Sequence, residues 1–185
     1  MSYKDRIMKN IILGIGIGFI ITSFLINAEP NNSSLSESDR DILLEELLKD
    51  AAKDYGHPPP EKSDKSYPIM QITSRDFVEW TVCKNAGCDA IASAVDNYVF
   101  ISDDIDLTTI FGQGIVYHEL IHTFQNLQHG EATTCREWVR REEQAYRLQD
   151  AWISARGVNN NWIKNRVYET LDEYCLGNYS VPEEN

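Results

Sequence analysis

The sequence predicts one α+β domain behind an N-terminal targeting segment. Apolar residues recur at helical spacing over residues 38–55 and in three stretches after residue 108. Between them lie three runs with strand character, at 67–73, 88–95 and 98–102. The order is helix, small sheet, then helices, so strands are segregated from helices and do not alternate with them. A chain of 185 residues makes one such domain plus appendages.

The first ten residues carry Lys4, Arg6 and Lys9, and Ile11 to Ile26 is almost wholly apolar. Asn27-Ala28-Glu29-Pro30 ends the run. A basic stretch followed by an apolar core is the plan of a secretory signal. Residues 1–28 therefore read as a signal peptide or as an N-terminal membrane anchor, 29–37 as a polar linker and 38–185 as the domain. Basic residues stay inside, so the remainder is expected to be exported, either free outside the membrane or held to it by that helix. Four cysteines in an exported chain suggest two disulfides, Cys83–Cys88 across a short turn and Cys135–Cys175 between two C-terminal helices. With 29 acidic against 17 basic residues the net charge is −12. That argues against nucleic acid as a partner, because phosphate binding needs a basic surface.

Each element has its own signals. Leu43, Leu44, Leu47, Leu48, Ala51 and Tyr55 make one helical stripe, with Ser38 and Asp41 as a capping pair and Gly56 as the stop. His57-Pro58-Pro59-Pro60 is extended loop. Tyr67 to Thr73 is a strand, Ser74 to Thr81 a short helix. Strands Cys88–Val95 and Tyr98–Ser102 flank Asp96-Asn97, a hairpin turn. The Tyr98–Ser102 strand is expected at a sheet edge, where an extended peptide can add to it. Asp103, Asp104 and Asp106 read as a solvated loop. A long helix spans Thr109 to Leu127, its regular part beginning near Gln113 because Gly112 and Gly114 weaken the first turn. Gly130 caps it. Further helices follow over Thr133–Ala155 and Asn160–Cys175.

The long helix carries His118-Glu119-Leu120-Ile121-His122, an H-E-x-x-H pattern. Composition alone produces it on the order of once in 100–200 chains of this length. On a helix the two His lie one turn apart on one face, where they can share a metal. Glu119 stands beside them and can take a proton from a metal-bound water.

A catalytic zinc needs three protein ligands and an open position. His129 does not supply the third in the H-E-x-x-H-x-x-G-x-x-H manner, because Gln125 and Gln128 stand where that pattern needs Gly and His. The next helix offers Glu142 and Glu143. With Ala145 at zero and 100° per residue, Trp138 and Trp152 lie about 20° to either side, Glu142 about 60° round and Glu143 about 160°. Glu142 therefore flanks the buried stripe and Glu143 points to solvent. A metal is one partner for such a carboxylate; Arg136 or Arg141 is another.

Val116 to Gln125 followed by Glu142-Glu143-Gln144-Ala145-Tyr146 resembles a gluzincin metallopeptidase. In that family a downstream helix supplies Glu as the third ligand, often as E-x-x-A-D. Tyr146 here stands where the Asp that orients a ligating His is usual. The arrangement looks closest to small exported bacterial proteins of unassigned function with HELxHxxQ and a later ExxAYxxQ, and Gln149 fits the last element. The resemblance covers about residues 98–155. It implies a small zincin-like domain holding zinc on His118, His122 and Glu142. Glu119 would be the general base, and Tyr146, or more weakly Tyr117, the oxyanion donor. The implied function is an exported zinc peptidase acting on peptide or protein. The competing readings are a non-catalytic envelope domain whose metal site is closed by His57 or His129, and a hydrolase of another bond.

Overall fold

The computed structural model describes residues 35–83 and 90–158, apart from the Cys83 side chain. The N-terminal segment, the turn expected at 84–87 and the helix expected over 160–175 lie outside the described residues. In chain order the elements are α1 (Glu37–Tyr55), β1 (Ile69–Thr73), α2 (Arg75–Cys83), β2 (Ala92–Val95), β3 (Tyr98–Ser102), α3 (Ile110–His129) and α4 (Cys135–Ser154). These helices and one three-stranded sheet make the expected α+β domain. No helix among the described residues is long and apolar enough to cross a membrane.

Sheet order is β1-β3-β2. β3 runs parallel to β1 and antiparallel to β2. The β2–β3 hairpin turns at Asp96-Asn97, with Asp96 at φ 54°, the left-handed value such a tight turn needs. This corrects the expectation that Tyr98–Ser102 is an edge. The two-residue hairpin fixes β2 on one side of β3, and β1 pairs with the side that the hairpin leaves open. β3 is therefore the centre, and β1 and β2 are the edges.

Alternation along β3 sends Val99 and Ile101, both fully buried, into the main core with α1, α3 and α4. Phe100 faces the other way, against Val78 of α2 and Ala90. α3 is the central helix: every residue from Gly114 to Ile121 is buried.

Three boundaries differ from the sequence reading. α1 is capped by Ser36, whose hydroxyl accepts from Asp39 N–H at 3.2 Å, and not by Ser38. The earlier start lets Leu35 pack on the core. β2 begins at Ala92, later than expected. α3 begins at Ile110, capped by the Thr109 hydroxyl, so the glycines do not delay it. They serve close packing: a Cβ on Gly112 would collide with the Asp106 carbonyl oxygen, and one on Gly114 would sit 2.6 Å from Ile153. Tertiary contact outweighs the propensity cost of about 1 kcal/mol per glycine.

α4 crosses α3 along Ala145, Trp152 and Ile153, which are buried, while Trp138 is only half-buried. Its N-cap is Thr134, whose hydroxyl accepts from Glu137 N–H at 3.1 Å. Cys135 in the first turn is disulfide-bonded; Cys88 and Cys175 lie outside the described residues.

Candidate metal centre

α3 and α4 bring His118, His122 and Glu142 together, with one ligand atom from each lying within 4.8 Å of the others. The two His Nε2 atoms are 3.0 Å apart. Glu142 spans them, one oxygen 3.3 Å from His118 Nε2 and the other 3.2 Å from His122 Nε2. Helical spacing accounts for the first pair. The α3–α4 crossing accounts for the third member, because Glu142 lies one turn before Ala145, the fully buried contact point. Glu143 is half-buried on the neighbouring face and does not join the cluster.

The alternative partner for Glu142 is engaged elsewhere. Arg141 donates to Glu137 at 2.7 Å, to the Gly130 carbonyl at 2.6 Å and to Asn126 at 3.1 Å. Its side chain leaves α4 toward the end of α3, away from the two His.

The three groups could hold a metal ion, and their charges act on one another. Burial works against the His122 imidazolium, and the Glu142 carboxylate outweighs it, holding the ring up at about 9. Burial likewise opposes the Glu142 carboxylate, and His122 and His118 outweigh it, holding the group well below the usual carboxylate range. His122 and Glu142 thus stabilise each other's charged forms. Two imidazoles and a carboxylate are also a donor set that suits zinc. The residues fit the metal that the resemblance implies.

Glu119 lies beside the cluster, on the sheet side. It is 9% exposed. Burial pushes its carboxyl up, against the pull of the two His and of a hydrogen bond from the Ala94 backbone N–H. Ala94 belongs to β2, an edge strand, and this N–H points to Glu119 and not into the β3 ladder. The open edge of the sheet thus faces the site, through β2 and not through the expected strand.

Tyr146 is buried, with its ring centroid 4.2 Å from that of His118. Burial, then the charges of Glu142 and Glu119, raise its hydroxyl well above the ordinary value. It is a neutral phenol near two carboxylates. Tyr117, the weaker oxyanion candidate, is on the other side of α3. One position before His118, it is turned toward α1, donates to Asp54 at 2.9 Å and stacks on Trp152. It takes no part in the site.

His57 and His129 are not part of the cluster. His57 packs its ring on Phe124 and contacts the Pro58 carbonyl. His129 is exposed at the end of α3. The acidic loop is solvated as expected, with Asp104 meeting Arg75 at 3.4 Å and Asp106 bonded to Thr108.

Sequence reasoning gave no role to two glutamines. Gln149 lies 3.1 Å from His118 Nδ1 and Gln125 lies 2.8 Å from His122 Nδ1, each through its amide oxygen. The signal available was position. Gln125 stands three residues after His122 and Gln149 seven after Glu142, so both share the ligands' helix faces.

No curated protein matches the chain, and no solved structure does. A family model described as a domain of unknown function (DUF6647) matches residues 94–174, a span that runs from the Glu119-binding Ala94 through the whole of α4.

Proposed function

We propose that this chain is an exported zinc-dependent hydrolase, with peptide bonds as its substrate class. One observation carries the reading: three acceptors converge on a single point, and a buried Glu119 outside that trio stands next to them. Catalytic zinc sites keep three protein ligands and an open position, whereas structural sites are closed by four. Among the described residues the cluster has three members. That favours hydrolysis over the alternative, a binding domain with a structural metal.

His118, His122 and Glu142 would hold the zinc, which would supply a Lewis acid able to make water nucleophilic near neutral pH. The protein's own groups do the rest. A Glu119 carboxylate oxygen takes the proton of the attacking water and returns it to the leaving amine. Its raised affinity for a proton suits both steps. Tyr146, a neutral phenol whose ring packs on His118, donates from its hydroxyl to the carbonyl oxygen as charge develops there. The outer edge of β2 presents backbone groups along which an extended peptide can lie.

The test is cleavage of unstructured peptide libraries by the full chain, purified in mild detergent and loaded with zinc. Glu119→Gln is expected to keep its zinc and to lose activity by roughly a hundredfold or more, the usual range for a general base. A wild-type protein that holds zinc and cleaves no peptide would favour the binding-domain alternative.

A further inference from the structure

Gln125 lies in the last third of α3 and is 1% exposed. Both ends of its amide are engaged. The nitrogen donates to the Arg141 backbone carbonyl at 2.9 Å and to the Gln144 side-chain oxygen at 3.0 Å. A backbone carbonyl can only accept, so the amide has one possible orientation. Its oxygen must face His122 Nδ1, at 2.8 Å. That nitrogen therefore carries a hydrogen and donates it. In the neutral ring the other nitrogen, Nε2, is then left without a hydrogen, facing His118 Nε2 and Glu142.

The second engagement concerns the other helix. Arg141 precedes Glu142 and Gln144 follows it by two, so the same amide grips the turn of α4 that bears the third ligand. A group that touches neither the cation position nor substrate thus bears on two of the three ligands, one through its oxygen and one through its nitrogen.

We propose that Gln125 is a positioning residue that fixes His122 with its proton on Nδ1 and holds the Glu142 turn against α3, so that one amide sets the geometry of two ligands for the metal. This inference rests on the zinc-site reading above. It requires an amide and not a carboxylate. A carboxylate at 125 would still accept from Nδ1 but would confront the Arg141 carbonyl with a second acceptor, both buried. A neutral partner also leaves the ring less electron-rich than a carboxylate partner does, so less charge is passed to the metal.

Two substitutions in the full chain separate the two roles. Gln125→Met keeps the side chain's length and removes all three bonds. Its zinc affinity, measured by competition with a chelating dye, is expected to fall roughly 10–100-fold, the range for loss of an outer hydrogen bond. Gln125→Glu is expected to lose affinity as well while keeping the Nδ1 proton. Nitrogen-15 NMR of the imidazoles reads that proton directly. In the zinc-loaded wild type His122 should carry it on Nδ1, in slow exchange with water; in Gln125→Met the exchange should quicken. Unchanged zinc affinity in a folded Gln125→Met would overturn the proposal. So would a neutral wild-type His122 ring with its single proton on Nε2, a result that needs no variant to fold. If wild-type protein takes up no zinc, the zinc-site reading fails by itself. The tautomer is then read on metal-free protein at alkaline pH, where the ring's remaining proton is expected on Nδ1.

Discussion

Two polar networks sit on the same pair of helices, and they are built on opposite rules. Toward α1, Asp50 accepts from Trp152 Nε1 at 2.9 Å and from Arg156 at 2.6 Å, and Asp54 accepts from the Tyr117 hydroxyl. The Arg156 guanidinium also lies over the Trp152 ring, 3.5 Å from its centroid. Donors meet acceptors throughout, so the network satisfies itself. One residue further along α3, His118 begins a cluster in which imidazole nitrogens face each other and a carboxylate. Burying such groups is costly unless a proton or a metal ion is shared among them. The network toward α1 is half-exposed at Asp50 and exposed at Asp54 and Arg156, whereas His118, His122 and Glu142 are largely buried. They differ in chemistry too: the first pairs side-chain donors with carboxylates, and the second gathers two imidazoles and a carboxylate, a set that could hold a metal ion.

The contrast can be broken first at the element the two networks share. Gly112 lies at the start of α3, against the Asp106 carbonyl, which already accepts from the Thr109 hydroxyl at 2.8 Å. Gly112→Ala is expected to destabilise the fold by about 1–3 kcal/mol, as overpacking does, although alanine is the better helix former by about 1 kcal/mol. Chemical denaturation measures it. A variant as stable as wild type would mean that the Asp106 turn yields freely.

A smaller effect is expected on the α1 side. Tyr117→Phe removes the bond to Asp54 and should cost about 1 kcal/mol, with zinc affinity unchanged. Burial, then the Asp54 bond, raises the Tyr117 hydroxyl above its ordinary value of 10.0. Its folded pKa exceeds the unfolded one, so its contribution is complete below about pH 10 and is lost as the unfolded chain ionises above it. Wild type should therefore lose stability above about pH 10 more steeply than Tyr117→Phe. Equal slopes in denaturation curves across that range would remove Tyr117 from the account.

How much of this was legible follows from the kind of force involved. His118, Glu119 and His122 were legible because their relation is set by one helix. Glu142 over Glu143 was legible because Ala145 and Trp152 fixed which face of α4 is buried. The sheet order was not, since pairing of β1 with β3 is a long-range choice that strand patterns do not encode. Nor were Gly112 and Gly114, whose value lies in what approaches them from Asp106 and Ile153. Tyr117 and Tyr146 look alike in sequence; only the position of α1 shows that one bonds Asp54 while the other packs on His118. Gln125 was visible as a letter, but its role needed the Arg141 carbonyl opposite.

Zinc titration of metal-free full chain by calorimetry tests the central claim most directly, that the His118–His122–Glu142 cluster binds a metal ion. The account predicts about one zinc per chain, by the three-ligand logic. Glu142→Gln should weaken it by more than the roughly 10–100-fold that an outer hydrogen bond is worth. Glu143→Gln, on the neighbouring face, should leave it unchanged. No zinc uptake by the wild type, or loss in the Glu143 variant with retention in the Glu142 variant, would contradict it.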